Sequence, residues 1–128
     1  MNYFCKKDRI NNYHLIKQLL NFKSFFEIKE IKVSFYIHNT KDVNKTQVLI
    51  SVPKKNIKSS VQRNKIKRLI RESYRLQKNI IDDVILNNKK LAVLLIYNSK
   101  KTNMSFKDVF NKINLILCSL KEKYNESI

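Results

Sequence analysis

Five arginines occur in the chain, and four of them, Arg63, Arg68, Arg71 and Arg75, fall within thirteen consecutive positions. Elsewhere the sequence uses lysine freely, so the clustering marks positions where a point charge does not serve. A guanidinium is planar, grips phosphate through two parallel N–H groups and stacks on bases, which an ammonium cannot do. Asn64, Lys65 and Lys67 lie among these arginines, and the paired Lys54 and Lys55 stand just upstream. Such a set recognises a polyanion; it does not make or break bonds.

Residues for bond chemistry are sparse. His14 and His38 are isolated and lack metal-ligand spacing, so a packing or surface role is expected for each. Asp82 and Asp83 are neighbours that diverge on a helix or cap a turn. There is no HExxH, no nucleophile elbow and no pattern pairing a base with Ser or Cys. Glycine is absent, which excludes the Walker A loop and the dinucleotide fingerprint, because both bring backbone close to phosphate at glycines. Cys5 and Cys118 are far apart, and reduced thiols in a cytoplasmic protein are expected. The residues therefore predict no catalytic side chain and no protein metal site.

A long helix from about Val61 to Lys78 must position the cationic set. Successive helical residues turn by about 100°, which gathers Ile66, Leu69, Ile70, Ser73 and Leu76 on one face. Arg63, Asn64, Lys67, Arg68, Arg71, Arg75 and Lys78 take the opposite face. A merely solvated face usually mixes signs at i, i+4, whereas Arg63, Lys67 and Arg71 stack like charges and Glu72 is the helix's single acid. Like charges at that spacing cost a few tenths of a kcal/mol per pair, roughly, in an isolated helix. A phosphate backbone turns that cost into a gain.

Around this helix the sequence predicts a small α+β sandwich of order αβββαβα in one domain over residues 1–128, with ragged ends near 1–8 and 123–128. A first helix runs from Asn11 or Asn12 to about Phe22. IKVSFYI (Ile31 to Ile37) and TQVLISV (Thr46 to Val52) read as strands, with a weaker one near Phe25 to Ile28. LAVLLIY (Leu91 to Tyr97) is apolar throughout, as in a strand buried on both faces. Ser105 and Asp108 form a capping box for a last helix whose core face is Phe106, Val109, Phe110, Ile113, Leu117 and Leu120. Aromatic residues crowd the first third and belong mostly to the core. Phe35 and Tyr36, adjacent on a strand, point to opposite sheet faces, so one can face an unpaired base.

Composition agrees with a polyanionic partner. Lys and Arg number 27 against 10 Asp and Glu, a formal charge of +17, with hydrophobic residues at 43%, enough to fill a core. No run is long enough to cross a bilayer, so nucleic acid is favoured over membrane.

The segment Ile50 to Arg75, ISVPKKNIKSSVQRNKIKRLIRESYR, closely resembles the signature of the bacterial ribonuclease P protein subunit, roughly SVxKK, a short spacer and AVxRNRxKRxxRExxR. Weaker similarity extends over about residues 4 to 122, including Arg9-Ile10 at the opening of the first helix. The resemblance implies a partner RNA that carries the catalysis with Mg2+, and removal of the 5′ leader of precursor tRNA. It implies that Arg63, Asn64, Lys65, Lys67, Arg68 and Arg71 contact RNA, with Arg75, Lys54 and Lys55 beside them. It further implies a cleft for the single-stranded leader lined by Ile16, Leu20, Tyr36, Ser51 and Lys55, and a left-handed βαβ crossover, against the usual hand. This chain departs from the pattern at Lys65, where arginine is usual, at Ile16 and Leu20, where phenylalanines are common, and in a seven-residue spacer from Asn56 to Gln62. The rival readings are a structural rRNA-binding protein of ribosomal type and a DNA-binding regulator. The first is opposed by the Arg/Lys spacing, and the second by the absence of a helix-turn-helix layout before Val61. No small-molecule substrate is expected.

Overall fold

The computed structural model describes residues 17, 19–20, 25–39, 46–85 and 89–127. Its elements are β1 (Phe26–Ile28), β2 (Ile31–Asn39), β3 (Thr46–Ser51), α1 (Ser60–Gln77), α2 (Asn79–Asp82), β4 (Lys89–Tyr97) and α3 (Phe106–Ser127). Lys17, Leu19 and Leu20 are helical. The rest of the expected first helix lies outside the described residues, as do Ile16, His14, Cys5 and Arg9. The class and order agree with the sequence reading, with the single turn of α2 added after α1.

The strands form one mixed sheet in the order β1-β2-β4-β3. β2 runs antiparallel to both β1 and β4, while β3 lies parallel to β4, so α1 and α2 fill the connection between adjacent parallel strands. Thr46 Oγ1 donates to Asp82 Oδ1, tying α2 to the start of β3.

β1 and β2 meet in a two-residue turn at Lys29 (φ 48°) and Glu30 (φ 73°). Tight hairpins need positive φ there, which glycine supplies without a Cβ clash. This chain has no glycine, so two ordinary residues carry the strain and neighbours hold them. Asn98 N donates to Glu30 O at 2.7 Å, and Lys112 Nζ lies 4.0 Å from Glu30 Oε1.

Strand alternation divides the sheet into two faces. The inner face presents Ile31, Val33, Val48, Leu91, Val93, Leu95 and Tyr97 to Ile66, Ile70 and Tyr74 of α1 and to Val109, Ile113, Ile116 and Leu120 of α3. The outer face carries a smaller cluster in which Leu19 packs on Ala92 and Leu94, edged by Tyr36, Leu49 and Ile96. Ser34 Oγ donates to Leu19 O at 3.0 Å and pins the helical residues there. Covered on both faces, β4 is apolar at successive positions, as expected.

Two expected core positions prove exposed, Leu76 at 42% and Phe106 at 40%, while Tyr74, Gln77, Ile116 and Tyr124 are buried instead. α1 meets α3 through a polar contact: Gln77 Nε2 donates to Phe110 O at 3.0 Å, and Asn114 Nδ2 donates to Gln77 Oε1 at 2.9 Å. That contact centres the buried stripe toward Tyr74 and Gln77 and leaves Leu76 outside. Phe106 opens α3, its ring 5.8 Å from that of Phe110. The cap at Ser105 is present, with Asp108 N donating to its Oγ at 3.2 Å.

Candidate nucleic-acid interface

α1 begins where a turn after β3 is locked to the sheet. Pro53 O accepts from Asn56 N and Ile57 N at 3.1 Å, Asn56 Nδ2 donates to Tyr97 O at 3.3 Å, and Ile57 is buried. Ser59 then caps the helix, its Oγ accepting from Gln62 N at 3.3 Å. The first turn contains no acid, so nothing opposes an anion approaching the positive end of the helix. Lys54 and Lys55 are exposed in the turn, beside this end.

Along the helix the predicted cationic residues split by environment. Asn64, Lys65 and Arg68 are exposed, while Lys67 and Arg71 are half-buried. Arg63 differs from expectation: it turns back, and its Nη1 donates to Ile57 O at 3.0 Å and to Lys58 O at 2.8 Å. One guanidinium has five N–H donors, so this clamp on the linker leaves others for phosphate. Lys65 stands about 120° around the helix from Arg71. It extends the contact surface sideways and does not join the central stripe.

Arg75 also has a partner. Its Nε donates to Glu72 Oε2 at 3.1 Å, and its Nη2 bonds the other carboxylate oxygen. The hydrogen bond from Arg75 holds the Glu72 carboxyl below its usual pKa, against a smaller opposing effect of burial, and the same bond raises Arg75. A phosphate reaching Arg75 must compete with a carboxylate already seated.

The expected cleft residues fall on the other side of the sheet. Tyr36 and Ser51 both point from the outer face, where Leu20 is 57% exposed, and Lys55 follows Ser51 around the end of β3. In register, Tyr36 sits opposite Ala92 and then Gln47, whereas Ser51 sits opposite Ile96 and then Lys32. The two rows are four residues apart along the strands, about 13 Å. That is room for more than one nucleotide. Tyr36 stacks on His38 of the same strand, with centroids 5.9 Å apart and planes at 20°. The structure thus puts Tyr36 and Ser51 on one face, with Leu20 on the helical segment whose Leu19 packs there, and separates them from α1, with the Lys54–Lys55 turn between.

Lys32 and Ile96 share this outer face and were not singled out from the sequence, and His38, expected in a packing or surface role, lies there too. Period-2 alternation places Lys32 and His38 with Tyr36, but only the β2–β4 pairing brings Ile96 beside Lys32. Among the described residues, no three His, Cys, Asp or Glu side chains come together to hold a metal ion, and no helix is long and apolar enough to cross a membrane.

Comparison with known proteins agrees with this arrangement. The Ribonuclease P family model matches residues 4–121. The ribonuclease P protein component of Buchnera aphidicola subsp. Schizaphis graminum is 36% identical over 114 residues, covering 76% of this chain and 93% of its own. That of Porphyromonas gingivalis is 33% identical over 69 residues, and there the match spans 54% of this chain and only 50% of the relative. Among solved structures, the Staphylococcus aureus RNase P protein superposes with a TM-score of 0.64 at 25% identity, covering 89% of this chain and 95% of that one. A signature helix, a mixed four-stranded sheet and these matches agree: the chain belongs to the ribonuclease P protein family.

Proposed function

We propose that this chain works as the protein subunit of ribonuclease P, a cytoplasmic ribonucleoprotein that removes the 5′ leader of precursor tRNA, and that its RNA partner carries the catalysis. The observation that supports this reading best is the separation of two surfaces. The arginine-bearing side of α1 points away from the core, while Tyr36 and Ser51 share the outer sheet face on which Leu19, the neighbour of Leu20, packs. One protein can then touch two polyanions without crowding them onto one patch.

In this reading Arg68, Arg71, Lys67, Asn64 and Lys65 bind the catalytic RNA, with Arg63 holding the entry to the helix and Lys54 and Lys55 reaching the junction. Arginine forks set orientation on phosphates, and the protein's positive charge lowers the repulsion between substrate and catalytic RNA. The sheet face receives the unpaired leader, with Tyr36 stacking on a base and Leu20 covering it. The grouped carboxylates and imidazoles that Mg2+ or a transition metal would need do not occur among the described residues. The family resemblance assigns Mg2+ to the RNA, and no step is routed through a protein-held ion.

The test is cleavage of a precursor tRNA by the cognate ribonuclease P RNA at low Mg2+, with and without this protein. Restored cleavage at the mature 5′ end supports the subunit role. Tight, salt-dependent RNA binding without rescue supports a ribosomal-type role instead.

A further inference from the structure

Beyond Tyr36, at the β1 edge of the outer face, Phe25, Phe26, Glu27, Lys32 and Ile96 line a cavity of about 340 Å³. Phe26 itself turns inward. It pairs in register with Val33, and Lys123 Nζ stands 4.9 Å from its ring centroid. Strand alternation therefore sends its neighbours Phe25 and Glu27 to the outer side, where Phe25 is 38% exposed. Lys32 lies directly opposite Glu27, Ile96 opposite Lys32, and Ser51 opposite Ile96. One row of the sheet thus runs from a carboxylate, through an ammonium and an aliphatic floor, to the expected cleft residue Ser51.

We propose that this cavity takes a single unpaired nucleobase of the bound RNA strand and reads its Watson–Crick edge with Glu27. The inference rests on the reading of the outer face as the leader cleft and adds to it a position with base preference. The volume is at the small end of ligand pockets. It suits one base and excludes a helix or a folded partner, and the +17 charge of the chain favours a polyanionic strand. Phe25 supplies an aromatic surface for the base and Lys32 a cation for the adjoining phosphate. A carboxylate only accepts hydrogen bonds. Guanine offers it two adjacent N–H donors in a fork, whereas uracil offers one donor flanked by two carbonyl oxygens. Guanine is therefore the preferred occupant and uracil the least favoured.

The experiment uses the full chain assembled with its cognate RNA and precursor tRNAs whose leaders grow one nucleotide at a time. Equilibrium affinity is expected to rise by about tenfold at the length that first reaches the cavity. Phe25→Ala should remove that step. With guanine or uracil placed at the same leader position, the native protein should prefer guanine, and Glu27→Gln should bring the ratio close to one while keeping the step. Thermal melts of both variants report whether each is folded, and Glu27→Gln keeps the size of an exposed side chain. A full-sized step in folded Phe25→Ala, or an unchanged guanine-to-uracil ratio in Glu27→Gln, overturns the proposal. Tyr36→Ala separates the two levels: if it weakens leader binding while Phe25→Ala does not, only the base pocket fails. If leader-bearing and leaderless substrates bind alike to the native assembly, the cleft reading fails with it.

Discussion

Arg75 and Glu72 form a forked pair on the exposed side of α1, with Nε to Oε2 at 3.1 Å and the second nitrogen on the other oxygen. The pair neutralises the C-terminal end of a stripe that is otherwise cationic, so it limits how far RNA is held along the helix. Glu72→Gln should release Arg75, tighten RNA binding at low salt and steepen the dependence of log K on log salt by up to about one. Binding titrations at four salt concentrations check this. A slope equal to that of the native protein would show that Arg75 never reaches phosphate.

The two proposed surfaces should separate in mutant energetics. Arg68→Ala is expected to weaken binding to the catalytic RNA by about 1–3 kcal/mol, since a charged hydrogen bond is lost. Tyr36→Ala should leave that affinity alone and weaken leader-bearing precursor tRNA by a similar amount through lost stacking. Filter binding on matched RNAs distinguishes them. Equal losses on both RNAs would contradict the division of labour.

Gln77 joins two helices at a buried site, giving its amide to Phe110 O and its carbonyl to Asn114. Gln77→Ala strands both partners, and an unsatisfied buried group costs about 1–3 kcal/mol. The melting temperature should fall by several degrees, roughly 3–6 °C per kcal/mol for a chain of this size. Gln77→Glu should be worse at neutral pH, because it sets a carboxylate against Phe110 O.

The hairpin at Lys29 and Glu30 predicts a stabilising change. Both residues sit at positive φ, where a Cβ costs roughly 1 kcal/mol. Lys29→Gly relieves one of them and touches no contact of Glu30, so the melting temperature should rise by a few degrees. A lower melting temperature would mean that the entropy of the unfolded glycine outweighs the relief.

The same turn predicts a pH dependence. The hydrogen bond with Ser99 first, then the charges of Lys112 and Lys101, hold the Glu30 carboxyl below its ordinary value, against the opposing effect of burial. A depressed carboxylate pKa stabilises the fold above the unfolded value, near 4.5, and that contribution is lost as pH falls through the depressed one. The protection factor of the Asn98 amide, which donates to Glu30 O, should fall on acidification below about pH 4.5. Glu30→Gln should remove that acid limb, and an identical pH profile in the variant would contradict the assignment.

The chain order of its elements and the chemistry of α1 were legible without tertiary information. Both are local. A 3.6-residue period sorts Ile66 and Ile70 from Arg68 and Arg71, and period-2 alternation separates Phe35 from Tyr36. The apolar run from Leu91 to Tyr97 announced a strand covered on both faces, because no solvent-facing position interrupts it. Other features depended on contacts between residues far apart in sequence. Nothing between Thr46 and Ser51 says that β3 pairs in parallel with β4, and that pairing alone puts Ser51 beside Ile96 and Lys32. Leu76 looked like core until Gln77 met Phe110 and Asn114 and set where the buried stripe is centred. Arg63 had the charge and spacing of a phosphate ligand, but the segment from Pro53 to Lys58 folds back and offers it the carbonyls of Ile57 and Lys58. Which residues are cationic, aromatic or apolar, and in what rhythm, is a local property readable along the chain. The tertiary structure decided which of them share a face, because strand order, register and helix contact are set by packing across the core.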